Sequence, residues 1–122
     1  MKILLAEDDA NIVKIAKIVL EKVGGHSVEV CMDGGSALNK ALTEDFDLLI
    51  LDGMMPVHPG VEVCKLYHEQ KQGPKARVIF LSATSTMEDI KEFKQLGCGY
   101  SQKPFEPQSL CQMIDDIVKE AA

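Results

Sequence analysis

Four kinds of polar side chain stand directly behind apolar runs in this chain. Glu7, Asp8 and Asp9 follow Ile3–Ala6. Asp52 follows Leu48–Leu51, Ser82 follows Val78–Leu81, and Lys103 follows Tyr100–Gln102. In an open parallel α/β sheet, ligands bind beyond the carboxyl ends of the strands, which is where such residues would lie. Strand order cannot be read from the pattern itself. If the first, third, fourth and fifth strands are neighbours, the groups converge. Glu7, Asp8 and Asp52 held together would repel, each raising the pKa of the others. A cation should compensate. Lys103 offers one charge, and carboxylates with waters suit Mg²⁺. A carboxylate can itself be the nucleophile and form an aspartyl phosphate, while Mg²⁺ and Lys neutralise charge on the equatorial phosphoryl oxygens. The chemistry expected is Mg²⁺-assisted phosphoryl transfer to one aspartate.

The elements that would position these groups alternate strictly. After the first apolar run, Ile12, Ile15, Ala16, Val19 and Val23 predict one helical face, ending at Gly24-Gly25. Val28–Cys31 predicts a second strand, and Ala37, Leu38, Ala41 and Leu42 a second helix. Leu48–Leu51 is continuously apolar, as a strand buried on both faces would be. A loop with Pro56, Pro59 and Gly60 leads to a helix carrying Val63, Leu66 and Tyr67, broken by Gly73-Pro74. Val78–Leu81 predicts the fourth strand. Ser85 and Glu88 form a capping-box signal for a helix with Met87, Ile90 and Phe93 inward. Tyr100–Gln102 is a short last strand. Pro107 suits the first turn of a final helix with Leu110, Met113, Ile114 and Ile117. Five strand-helix units predict an α/β fold, a doubly wound parallel sheet with helices on both faces.

Composition narrows the function classes. The chain has 122 residues, expected to form one domain over 1–122, with 46% hydrophobic and 26% charged residues. That content argues against disorder. Lys plus Arg number 13 against 19 Asp plus Glu, a net charge of −6, and Arg77 is the only arginine. Nucleic-acid backbones are bound by clustered Lys and Arg, so direct DNA or RNA binding is not expected. The longest apolar runs are far short of the roughly 20 residues of a membrane span and of a signal peptide's apolar stretch, so a cytoplasmic location and no membrane partner are expected. Cys31, Cys64, Cys98 and Cys111 contain no C-x-x-C pair and read as reduced thiols used as small hydrophobes.

These motifs, taken in order, resemble the receiver domain of two-component response regulators, the CheY-like fold. Leu4–Asp9 is similar to the family's first-strand acidic motif, and Asp52-Gly53-Met54-Met55-Pro56 with Gly60 to its phosphoacceptor loop. Leu81-Ser82-Ala83 is similar to its Ser/Thr-Ala motif, and Lys103-Pro104-Phe105 to its Lys-Pro-Phe motif. The resemblance spans the whole chain and implies a flavodoxin-like sheet of order 2-1-3-4-5. It implies that Asp52 accepts a phosphoryl group from a phosphohistidine on a histidine kinase or a histidine phosphotransfer protein. It assigns Mg²⁺ to Asp8, Glu7, Asp52 and the Met54 carbonyl. Ser82 would bond a phosphoryl oxygen, and Lys103 would pair first with Asp52 and then with the phosphate. The Lys103–Pro104 bond would be cis. Tyr100 takes the switch-aromatic position and would move with Ser82 to change the face that partners read. The output would be a downstream protein or an output domain, and a phosphorylation-dependent dimer is compatible with it.

The chain departs from that pattern at Gly53, at His58-Pro59 and in a Gly97–Tyr100 segment one residue short. None of these removes a charged group. Taken alone, Asp52 would read as a turn cap, Ser82 as a surface hydroxyl, Lys103 as a solvated lysine, and Tyr100 as a plain strand aromatic. Asp9 reads as a helix N-cap. His58 reads as a loop residue, and His26 and His68 as surface groups. The runner-up function is a degenerate receiver that binds proteins without phosphorylation. A Mg²⁺-dependent phosphatase would want room for a substrate cap. A flavodoxin-type protein would want a Gly/Ser/Thr-rich loop where this chain is acidic. No external substrate is expected to be turned over.

Overall fold

The computed structural model describes residues 1–52, 60–73, 76–82, 91, 99–102 and 112, with positions 23, 82 and 99–102 by backbone alone. Five strands form one parallel sheet: β1 (Lys2–Ala6), β2 (Ser27–Cys31), β3 (Leu48–Asp52), β4 (Arg77–Ser82) and β5 (Gly99–Gln102). Their spatial order is β2-β1-β3-β4-β5, as the resemblance implies. Between them run α1 (Ala10–Ile18), α2 (Gly34–Thr43) and α3 (Gly60–Gln70). The helices expected over 85–93 and 107–117, with the Ser85 cap and Pro107, lie outside the described residues, apart from Lys91 and Gln112, which are helical.

Alternation along each strand splits the core in two. Leu4, Ala6, Leu49, Leu51, Val78 and Phe80 meet Ala37 and Ala41 of α2 and Val63, Cys64 and Tyr67 of α3. On the other face Ile3, Leu5, Leu48, Ile50, Ile79 and Leu81 meet Ala16 of α1 and the nearby Leu20. A sheet covered on both faces favours a continuous apolar run, and β3 is buried at all five positions, four of them apolar (Leu48–Leu51) and the last Asp52. Each Leu or Ile fully removed from water contributes roughly 1.5–3 kcal/mol, so these strands give the site a rigid floor.

The first helix departs from expectation. After Ile18 it widens into one π turn, Val19–Val23, before Gly24 and the left-handed Gly25 (φ 70°). The buried stripe is Ala16, Val19 and Leu20. Ile15, expected inward, is 49% exposed, and Ile18 is 47% exposed. At about 100° per residue, Ile15 sits roughly a quarter-turn to the side of that stripe. Two of the three histidines also differ from expectation: His26 and His68 are half-buried. His26 Nδ1 lies 3.0 Å from the Met1 amine, and His68 Nδ1 lies 3.5 Å from Cys64 Sγ, one helical turn back. Cys31 and Cys64 are buried, as small hydrophobes should be; Cys98 and Cys111 lie outside the described residues. Among the described residues no helix is long and apolar enough to cross a membrane.

Polar contacts tie the other end of the sheet together. The buried Lys71 side chain donates to the Glu44 carbonyl and pairs with Asp45 Oδ1, both at 3.0 Å. The buried Tyr67 hydroxyl accepts from the Ala76 N–H at 2.7 Å. Glu44 bridges Lys2 (3.0 Å) and Lys40 (3.3 Å), and Lys40 also reaches Glu29 at 3.0 Å.

Candidate functional site

The chain changes direction between β1 and β3: β2 lies on one side of β1, and β3 with its successors on the other. A crevice forms beyond the strand ends at such a switch point. The ladder pairs Ala6 with Leu51, so Glu7 and Asp52 emerge side by side. The ladder also holds Glu7 beyond the end of β1, because its N–H donates to the Cys31 carbonyl at 3.0 Å. Asp52 is the last residue of β3 rather than the first after it, paired with Leu81.

One oxygen from each of Glu7, Asp8 and Asp52 lies within 4.8 Å of the others. Glu7 is fully buried and Asp52 is 3% exposed, while Asp8 faces solvent. Gathering carboxylates out of water is costly unless a cation or donors compensate. The donor set is all oxygen, with two buried groups and one reachable from solvent. That suits a hard divalent cation that keeps some of its waters, so the residues fit a magnesium ion. Asp9 N–H donates to Glu7 Oε1 at 3.1 Å, while the Asp9 carboxylate caps α1. Sequence reasoning found that cap but not the bond to Glu7, which joins residues only two apart and leaves no compositional signal. On the neighbouring strand end, burial pushes the Cys31 thiol above its ordinary value, partly offset by Lys40.

Three of the expected site residues therefore come together. The Ser82 backbone pairs with Gln102, one step beyond the Asp52–Leu81 rung, and the Tyr100 backbone pairs with Phe80. Lys103 follows Gln102 in the chain. Lys103, Met54, Gly53, His58-Pro59, Gly97-Cys98 and the Lys103–Pro104 bond lie outside the described residues.

Comparison with known proteins points the same way. The family model for the response regulator receiver domain matches residues 3–115. The chain is 35% identical to the probable transcriptional regulator ycf29 of Pyropia yezoensis, over 99% of this chain and 57% of that protein. It is 34% identical to the alkaline phosphatase synthesis transcriptional regulatory protein PhoP of Bacillus subtilis, over 98% of this chain and 49% of that one. The chain thus spans about half the length of these curated relatives. Among solved structures, a CheY-like receiver domain protein from Methanospirillum hungatei superposes with a TM-score of 0.88 at 28% identity, covering 98% of this chain and 94% of that one. The chemotaxis protein CheY4 of Vibrio cholerae gives 0.85 at 32% identity, covering 94% and 96%.

Proposed function

The chain belongs to the response regulator receiver domain family, and on that premise we propose that Asp52 is the residue phosphorylated when it acts in two-component signalling. The observation that carries this is the carboxylate cluster: Glu7, Asp8 and Asp52 within 4.8 Å at the switch point, with Asp52 nearly buried on a rigid strand. An Asp52 oxygen attacks the phosphorus of a phosphohistidine. The N–P bond breaks, the imidazole leaves with its electron pair and takes up a proton, and an acyl phosphate forms. Glu7 and Asp8, with Asp52 and the Met54 carbonyl, would hold Mg²⁺. That ion supplies charge neutralisation for the transferring oxygens. Ser82 and Lys103 receive the new phosphoryl oxygens, and Tyr100 follows Ser82.

The modification adds about −1.5 to −2 charge at one point, and a local charge change of this kind biases a two-state element that partners read. The donor is a histidine kinase or a phosphotransfer protein, and the reaction runs in the cytoplasm on the whole 1–122 domain. The listener is a downstream protein or an output domain. The names of the curated relatives favour transcriptional output.

Intact mass after incubation with acetyl phosphate tests the reading. One phosphoryl-sized increase is expected with Mg²⁺, and none without it or in Asp52→Asn. No increase under any condition would favour a degenerate receiver that binds partners unphosphorylated.

A further inference from the structure

Asp9 joins the acidic site to the helix behind it. Its backbone is extended (φ −86°, ψ 111°), and its Oδ1 accepts from Asn11 N–H at 2.9 Å and Ile12 N–H at 3.4 Å. Its carbonyl accepts from Val13 N–H at 3.0 Å. The residue is thus fixed to the first turn of α1 through both side chain and main chain. Its one remaining main-chain group, the N–H, is aimed at Glu7 Oε1 at 3.1 Å. Glu7 is fully buried, and its long side chain has several rotamers to lose. A donor that is itself held still selects one of them, as outer partners do for metal-binding carboxylates.

We propose that Asp9 is a positioning residue for Glu7: its carboxylate, by capping α1, fixes the amide that aims the Glu7 carboxylate into the cluster. The exposed Asp9 side chain is committed to α1. The oxygens that cluster come from Glu7, Asp8 and Asp52. This inference rests on the reading of that cluster as a Mg²⁺ centre, and it assigns a duty to a residue whose own oxygens are spent on the helix. Asp33 is an internal control. It caps α2 in the same way, its carboxylate accepting from Ser36 N–H at 2.7 Å and Ser36 Oγ at 3.0 Å and its carbonyl from Ala37 N–H at 3.1 Å, and none of these bonds reaches an acidic group.

The test compares wild type, Asp9→Ala, Asp9→Asn and Asp33→Ala by Mg²⁺ titration calorimetry and by amide exchange in metal-free protein. Asp9→Ala should bind Mg²⁺ roughly tenfold more weakly, the lower end of the loss when a ligand's outer partner goes. Its residue-9 amide should exchange faster before any metal is added. Asp9→Asn, an equally good cap, should stay within about twofold of wild type. Asp33→Ala should lose thermal stability and bind Mg²⁺ normally. Unchanged binding and exchange in Asp9→Ala would overturn the proposal. So would Asp9→Asn binding as weakly as Asp9→Ala, since charge rather than capping would then matter. Equal weakening in Asp33→Ala would also overturn it, by reducing the effect to general stability. If wild type binds no Mg²⁺ while exchange at residue 9 responds as expected, the metal reading falls and the Asp9–Glu7 coupling stands.

Discussion

At the carboxyl ends of β1 and β3, three carboxylates crowd within 4.8 Å, two of them buried. Around the opposite ends of the same strands, cations and anions alternate: Lys2, Glu44 and Lys40 in a chain to Glu29, with Lys71 against Asp45 and the Glu44 carbonyl. Both ends are built from ordinary charged residues on one rigid sheet. At one end like charges are pressed together at a cost to folding. At the other each charge meets its opposite. Native stability is a small balance of large terms, so gathering like charges at one end points to a reason outside folding. A bound cation and a phosphoryl group supply one.

The contrast should appear first in stability. Tyr67→Phe removes the acceptor of the buried Ala76 N–H. An orphaned buried donor costs roughly 1–3 kcal/mol, so the urea midpoint should fall by that equivalent while Mg²⁺ affinity stays unchanged. A loss of Mg²⁺ affinity in this variant would break the division between the two ends.

The acidic end should respond with the opposite sign. Asp52→Asn removes one of three like charges. Two such charges at about 4 Å cost about 1 kcal/mol in water and more in a less polar site. Without Mg²⁺ the variant should therefore melt above wild type. Saturating Mg²⁺ should raise the wild-type melting temperature, as any ligand of the native state does, and leave Asp52→Asn unmoved. A variant that melts lower than wild type without metal would show that other groups already neutralise the cluster.

Much of the acidic end could be read from residue order because its causes are local. Each acid follows an apolar run, and a parallel sheet puts all such positions at one edge. Which strands adjoin came from the resemblance rather than from the pattern. The opposite end was invisible for the converse reason. Lys2 and Glu44 are 42 residues apart, and nothing in either neighbourhood marks them as partners. The Ile15 error has a third cause. Periodicity marks a wider apolar stripe than the sheet covers: Ala16, Val19 and Leu20 are buried, while Ile15, about a quarter-turn to their side, stays at the surface. Local patterns located the chemistry, and only the fold showed what steadies it.

The smallest expected effect separates the two ends by pH. Hydrogen bonds from Lys2 and then Lys40 hold the Glu44 carboxyl below its ordinary value of 4.5. A carboxylate whose folded pKa is depressed adds stability above its unfolded pKa, and that stability is lost as pH falls through the folded value. Wild type should therefore lose a small increment below about pH 4.5, and Glu44→Gln should lose less there because it has no such charge to forfeit. The group is exposed, so the increment should shrink in about 1 M salt, where the Debye length is only about 3 Å. Melting temperatures from about pH 6 to about pH 3, at low and high salt, would resolve it. Parallel acid limbs for wild type and Glu44→Gln at low salt would mean that the ion-pair chain lends the fold nothing. The two ends would then differ in geometry but not in what their charges do for folding.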